Sequence, residues 1–127
     1  LTVKELPNAW NTMFQEWFGE EVPNDRLGCL QDIHWSMGAF GYFPTYTLGN
    51  LYAAQLLESM AEELGDIDAL VESGDWSPLL EWLRPRIHAE GSKMSPADLI
   101  EKATGAPPSP EPFLRYVEEK YGRIYGL

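Results

Sequence analysis

The stretch PTYTLGNLYAAQLLESMAEEL, from Pro44 to Leu64, decides the fold class of this chain. Its apolar side chains recur with a period near 3.6, which is the repeat of an α-helix. Pro44 suits the first helical turn, because the N–H that proline lacks would have no partner there, and Gly65 supplies an end. The sequence therefore predicts a helix from Pro44 to Leu64, the longest in the chain.

Helix signals continue on both sides of this stretch. Asn8 is expected to cap a helix that ends at Gly19, and Asp66 to cap a short helix from Ile67 to Glu72 that stops near Gly74. Three later helices are expected to begin with Ser-Pro pairs, in which the serine caps free N–H groups of the first turn. These pairs are Ser77-Pro78, Ser95-Pro96 and Ser109-Pro110.

The remaining segments predict loops and one helix break. Residues Glu20 to Gly41 have an irregular pattern rich in Gly, Asn and Asp, which is typical of a loop with short turns. Pro85 should kink or break the helix that follows Pro78, because it removes one helical hydrogen bond and clashes with a carbonyl. No segment alternates as a strand would, and the connector GAPPSPEP is too short to separate two domains. We expect an all-α fold in which residues 1–127 form a single helical segment.

Charge and composition exclude several classes of protein. The formal net charge is −11, and no Lys or Arg occurs between Arg26 and Arg84. Nucleic acid and anionic membrane surfaces are therefore not expected as partners, since both require clustered basic residues. There is no apolar run long enough for a membrane-spanning helix, and the N-terminal residues do not resemble a signal peptide. The one cysteine, Cys29, fits a reducing compartment, so a cytoplasmic location is expected.

The segment GCLQDIHW, Gly28 to Trp35, concentrates groups that active sites use. Asp32 can accept a hydrogen bond from one nitrogen of His34 and so fix the imidazole tautomer, which leaves the other nitrogen for a substrate. Gln31 can donate to a carbonyl or carboxylate. The spacing alone also fits a purely structural turn, in which Asp32 and Gln31 bind backbone N–H groups and Trp35 packs.

Two tyrosines follow this segment, and a metal site is not expected. Tyr42 and Tyr46 are four residues apart, so at the start of a helix they would share one face, and tyrosine hydroxyls can donate to an oxyanion. Two aromatic residues at this spacing are also typical of a core. The two histidines, His34 and His88, are far apart, and His88 lacks the second histidine of an H-E-x-x-H zinc motif.

GCLQDIHW resembles the G-x-x-Q-D-x-H-W signature of the carboxypeptidase Taq family of zinc metallocarboxypeptidases, with Gly28, Gln31, Asp32, His34 and Trp35 at the fixed positions. The segments FGYFPTYTLGNLYAAQL, GDWSPLLEWLR, SPADLIEKATG and FLRYVEEKYGRIYG are also similar to that family. The resemblance covers nearly the whole chain and corresponds to the C-terminal end of a much longer enzyme. The H-E-x-x-H site, its glutamate ligand and the I-R-x-x-A-D motif of the family are absent from these residues.

The resemblance implies the C-terminal portion of a larger, mostly helical zinc peptidase that removes C-terminal residues from peptides. Zinc would be held by the missing N-terminal part, so this chain would be inactive alone, and the complete enzyme would be a homodimer. His34, with Tyr42 or Tyr46, would stabilise the transition state, by a looser analogy with related helical zinc peptidases. Asp32 would orient His34, and Gln31 and Trp35 would shape the substrate pocket.

A second hypothesis is a free-standing helical interaction or oligomerisation domain without catalysis. The regular helix punctuation up to the last residue supports it, because such a chain can fold as a unit. The first hypothesis carries a different expectation, namely that the isolated chain exposes an apolar patch that the missing region would cover. That patch is expected to include several of Trp10, Phe14, Trp17, Phe40 and Phe43.

Overall fold

The computed structural model describes residues 1–127 and contains helices and no strand, which confirms the all-α fold class. Six α-helices follow one another: α1 (Leu6–Phe18), α2 (Pro44–Leu64), α3 (Ile67–Ser73), α4 (Ser77–Leu83), α5 (Pro96–Thr104) and α6 (Glu111–Tyr125). None of them combines the length and the apolar character that a membrane crossing requires. The chain divides into two compact units, Leu1–Thr45 and Tyr46–Leu127. The expectation that residues 1–127 form a single helical segment of one larger enzyme stays a prediction.

The first unit consists of α1 and three short 3₁₀ turns. The turns span Asp25–Leu27, Cys29–Gln31 and Ile33–Met37, and they fill the region in which the sequence predicted a loop with short turns. Helix α1 packs against the Cys29–Gln31 turn. Cys29 is the buried apolar side chain of this unit, with 3% of its surface exposed.

The second unit has a small core. Its buried apolar side chains are Met60, Trp82, Ile100, Ala103 and Pro112. A buried glutamine, Gln55 of α2, joins that core to the connector between α5 and α6. Its amide nitrogen donates to Thr104 Oγ1 and to the carbonyls of Ala106 and Pro107, each at 3.1 Å. Its carbonyl oxygen accepts from the backbone N–H of Ser109 at 3.0 Å.

Most predicted helix ends are confirmed. Helix α2 runs from Pro44 to Leu64 as its periodicity indicated. The Asp66 side chain accepts a hydrogen bond from the N–H of Ala69, and the Ser95 hydroxyl accepts one from the N–H of Asp98, so both residues are caps. Pro85 ends α4 at Leu83, and the next turn, Arg84–His88, is π-helical, with the N–H of Ala89 bonded to the Arg84 carbonyl.

Two predicted caps are wrong, and a third is present. Asn8 lies inside α1, which begins at Leu6 with Pro7 in its first turn, so the proline sets the start instead. Ser77 is the first residue of α4, and its N–H is bound by Asp75. Ser109 does make the predicted bond, since its hydroxyl accepts from the N–H of Glu111 in the first turn of α6, which begins two residues after it. The pair Ser77-Pro78 also opens α4 as expected, although Ser77 does not cap it.

Large apolar side chains of the first unit are exposed. Trp17 and Phe40 each expose 70% of their surface, and Phe43 exposes 48%. Trp10 and Phe14, which were expected in the same patch, are instead half-buried. They are covered because each contacts another aromatic ring: Trp10 meets Trp35, and Phe14 meets Phe18.

Candidate functional site

The G-x-x-Q-D-x-H-W segment begins with a tightly enclosed glycine. Gly28 is buried, and a Cβ atom at this position would lie 2.7 Å from Val22 Cγ1, 3.2 Å from Asn11 Oδ1 and 3.3 Å from the carbonyl oxygen of Asn24. These distances leave no space for a side chain. The glycine therefore allows α1 and the preceding loop to approach the backbone of the turn closely.

Asp32 and His34 form the polar centre of this segment. Asp32 is buried, with 7% of its surface exposed, and its Oδ1 lies 2.7 Å from the Nδ1 of His34. The same oxygen accepts a hydrogen bond from the backbone N–H of His34 at 3.1 Å. Asp32 is thus the cap of the Ile33–Met37 turn and a partner of the imidazole at once. This geometry directs Nδ1 toward the carboxylate and Nε2 to the opposite side of the ring.

The Gln31 side chain is held by its own loop. Its amide nitrogen donates to the carbonyl of Arg26. The contact is local, as in the structural alternative, but it is made to a carbonyl and not to the backbone N–H that the alternative expected. The residue remains exposed, so its amide is also accessible from outside the loop.

Aromatic rings lie beside His34 and its neighbour Trp35. The ring of Tyr42 lies 4.8 Å from the His34 ring, and the ring of Phe43 lies 5.3 Å from it in an edge-on arrangement. Trp35 stacks on Phe40 at 5.7 Å. The structure thus brings Asp32, His34 and Tyr42 together within the first unit. Phe43 was expected only as part of an apolar patch, although its position directly after Tyr42 was a signal that it would share the same surroundings.

The tyrosines do not share a helix face. Tyr42 precedes α2, which begins at Pro44, and Thr45 binds the Tyr42 carbonyl through its backbone N–H and its hydroxyl. Proline disfavours helical backbone in the residue before it, so the helix cannot extend back to Tyr42. The prediction of a common face is therefore wrong. Tyr46 lies in the first turn of α2, within the second unit, and exposes 55% of its surface.

Metal ligands do not cluster in these residues. No group of three or more His, Cys, Asp or Glu side chains is arranged to hold a metal ion. The second histidine, His88, is exposed on the π-helical turn. The residues present therefore do not fit a zinc site.

A buried carboxylate bonded to a half-buried imidazole, with two aromatic rings beside the imidazole, is an arrangement that can orient a functional histidine. The family model that describes the carboxypeptidase Taq (M32) metallopeptidases matches residues 1–121. The chain is 47% identical over 126 residues to thermostable carboxypeptidase 1 of Thermus thermophilus and 41% identical over 127 residues to carboxypeptidase 1 of Bacillus subtilis. This chain belongs to the carboxypeptidase Taq (M32) metallopeptidase family.

The solved structures agree with the sequence comparison. The crystal structure of the M32 carboxypeptidase from Deinococcus radiodurans matches all of this chain with a TM-score of 0.91 and 36% identity. The match covers 26% of that protein. The curated relatives from T. thermophilus and B. subtilis are each covered over 25% of their length. The chain thus spans about a quarter of the relatives that it matches, and it is a helical segment of that fold.

Proposed function

We propose that this chain is the C-terminal part of a zinc-dependent metallocarboxypeptidase that removes C-terminal residues from peptides. The observation that carries the proposal is the bond between Asp32 and His34, in a chain that belongs to a metallopeptidase family over nearly its whole length. The isolated 127-residue chain is proposed to be inactive. Zinc would be bound by ligands in the N-terminal part of the same enzyme, and the complete enzyme is proposed to be a cytoplasmic homodimer.

His34 is proposed to stabilise the oxyanion that forms on the scissile carbonyl. When a neutral imidazole donates a hydrogen bond from its Nδ1–H to Asp32, Nε2 has no proton and can only accept a hydrogen bond. Donation to an oxyanion therefore requires the doubly protonated ring, or else a tyrosine hydroxyl must donate in its place. Tyr42, whose ring lies 4.8 Å from that of His34, supports the second route, and Tyr46 is the other candidate.

The remaining residues of the signature are proposed to shape the pocket. Trp35 exposes part of its ring and stacks on Phe40, so it offers an apolar wall. Gln31 is proposed to contact the peptide, although its amide nitrogen is bound to the Arg26 carbonyl, so it would contact substrate through its oxygen or after exchanging that partner.

Substitution in the complete enzyme tests these roles. His34→Ala is expected to lower kcat by about 10²–10³ with zinc content unchanged, since loss of one oxyanion donor has that magnitude. Tyr42→Phe and Tyr46→Phe remove single hydroxyls, and the variant with the larger loss of kcat identifies the donor. His88→Ala is the matched control, because His88 is exposed on another element. Unchanged kcat in His34→Ala would exclude the proposed role.

A groove in the second unit favours an alternative, a helical interaction domain without catalysis. The groove has a volume of about 590 Å³, and its walls come from α2, α3 and α6. It carries charges of both signs, which include Glu58, Asp68, Arg115 and Lys120. This alternative requires that the 127 residues unfold cooperatively alone and bind a partner. A molten chain that binds ANS would exclude it.

A further inference from the structure

The turn that carries His34 has little structure of its own. Within residues 20–43, only Gly28, Cys29 and Asp32 are buried, and the backbone forms single 3₁₀ turns of three to five residues. Such turns are poorly hydrogen-bonded and do not persist alone. The Asp32 bond orients the imidazole within the turn, so an adjacent element is needed to fix where the turn itself lies.

Helix α1 contacts the turn beside His34. The ring of Trp10 meets the ring of Trp35 edge-on, with a centroid distance of 6.1 Å and an interplanar angle of 88°. This geometry is favourable for two aromatic rings, and it restricts the rotation of Trp35. Because Trp35 directly follows His34, the contact also restrains the backbone from which the imidazole extends.

The same helix contacts the turn before Asp32. Asn11 Oδ1 lies 3.2 Å from the point where a Cβ atom of residue 28 would stand. Asn11 therefore lies on the side of Gly28 toward which a side chain would project, four residues before Asp32. Adjacent residues of α1 thus hold both sides of the Asp32–His34 pair.

Both contact residues carry buried polar atoms without a partner. Trp10 Nε1 and Asn11 Oδ1 are inaccessible and make no hydrogen bond. A buried polar atom in this state lowers stability, so an apolar residue of similar size would suit either position better if stability were the sole requirement. The residue types at positions 10 and 11 therefore agree with a role in placing the turn.

We propose that Trp10 and Asn11 are positioning residues for His34, which they hold through the Trp35 ring and the Gly28 backbone. The functional meaning of this arrangement rests on the proposed role of His34 in oxyanion stabilisation. The arrangement itself concerns geometry within residues 1–45, and it can be measured without any peptidase activity.

The measurement is ¹⁵N NMR of the imidazole in the 127-residue chain. His88→Gln leaves His34 as the one histidine, so its two ring nitrogens are observed alone. In the neutral ring, the Asp32 bond should keep the proton on Nδ1, and the two nitrogens should give widely separated shifts. Exchange between tautomers brings the two shifts together.

Matched substitutions on α1 then separate positioning from helix stability. Trp10→Leu and Asn11→Leu should bring the two nitrogen shifts together while helix content, measured by circular dichroism, is retained. Trp17→Leu and Asn8→Leu lie on exposed positions of the same helix and should leave the shifts apart. Trp10→Phe keeps an aromatic ring against Trp35, so its two nitrogen shifts should stay further apart than those of Trp10→Leu.

Three outcomes would overturn the proposal: averaged shifts in the His88→Gln chain itself, separated shifts in both Trp10→Leu and Asn11→Leu, or equal averaging in the exposed controls. If the leucine variants unfold, Trp10→Phe and Asn11→Ser provide milder changes, and unaltered shifts in both would count against positioning. Activity of the complete enzyme with His34→Ala remains a separate test. Failure of that test would remove the catalytic role of His34 and leave the geometric result intact.

Discussion

One carboxylate oxygen of Asp32 binds both the ring and the main chain of His34. Asp32 Oδ1 lies 2.7 Å from His34 Nδ1 and 3.1 Å from the backbone nitrogen of the same residue. The side chain therefore fixes the start of a 3₁₀ turn and the orientation of the imidazole together. A change at Asp32 should alter both the local fold and the chemistry that is proposed for His34.

Asp32→Asn is expected to lower kcat of the complete enzyme by about 10- to 100-fold, the range for loss of a partner that orients a functional histidine. The amide can still accept from the backbone N–H. However, it can also turn its NH₂ group toward Nδ1, which favours the other tautomer. Asp25→Asn, an exposed residue of the neighbouring turn, is the control. Equal kcat for the Asp32 and Asp25 variants would contradict the orienting role.

Gly28→Ala should destabilise the chain by about 1–3 kcal/mol, because overpacking a tight contact has that cost. The added methyl group would lie 2.7 Å from Val22 Cγ1, and valine cannot rotate away freely at χ1. Urea unfolding measures the change.

Gly49→Ala is the matched control for this substitution. Gly49 lies inside α2 with no atom within 4 Å of an added Cβ, and its φ is not positive. Alanine there should stabilise the chain by about 0.5–1 kcal/mol, because glycine is unfavourable inside a helix. A stabilising effect at both positions would mean that the turn relaxes around position 28.

The fold could be predicted from sequence wherever the signals were local. Glycine ends, the Asp66 cap and the proline that opens α2 act within a few residues of themselves, so composition alone reveals them. The caps at Asn8 and Ser77 were wrong because α1 begins two residues before Asn8 and Ser77 is already the first residue of α4. The proline ring fixes φ, whereas the polar side chain adapts to whichever N–H is free.

The site was predictable only in part, because sequence reveals contacts between neighbouring residues but not contacts between distant ones. Asp32 and His34 are two residues apart, so their bond follows from local geometry. The contact of Trp10 with Trp35 joins residues 25 positions apart, and nothing local in the sequence indicates it. For Tyr42 and Tyr46 a local signal was misleading. Their spacing of four suggested one helix face, but α2 begins at Pro44 and Tyr42 lies outside it.

Gln55→Leu should lower the free energy of unfolding by about 1–3 kcal/mol, the cost of leaving a hydrogen-bonding group without its partner. The leucine is apolar like its neighbours, but it leaves the half-buried N–H of Ser109 unpaired and removes the bonds that the buried amide makes to the exposed carbonyls of Ala106 and Pro107. Urea unfolding checks the value. Gln15→Leu, on the exposed side of α1, should change it by less than about 0.5 kcal/mol, as is usual for surface positions. A similar small change at Gln55 would mean that water replaces the lost bonds.

Lys102→Met should remove a contribution to stability that exists only above acid pH. The hydrogen bond from Lys102 Nζ to Glu90, at 2.7 Å, and the charge of the same ammonium lower the pKa of Glu90, with a smaller contribution from Lys93. A carboxyl whose pKa is lower when folded stabilises the protein above its unfolded pKa, and that stabilisation is lost as pH falls through the folded pKa. Urea midpoints of the variant and the parent chain should therefore differ near pH 7 and converge below about pH 4, a typical unfolded carboxyl value. A difference that is constant with pH would show that Lys102 acts through the packing of its alkyl chain instead of its charge.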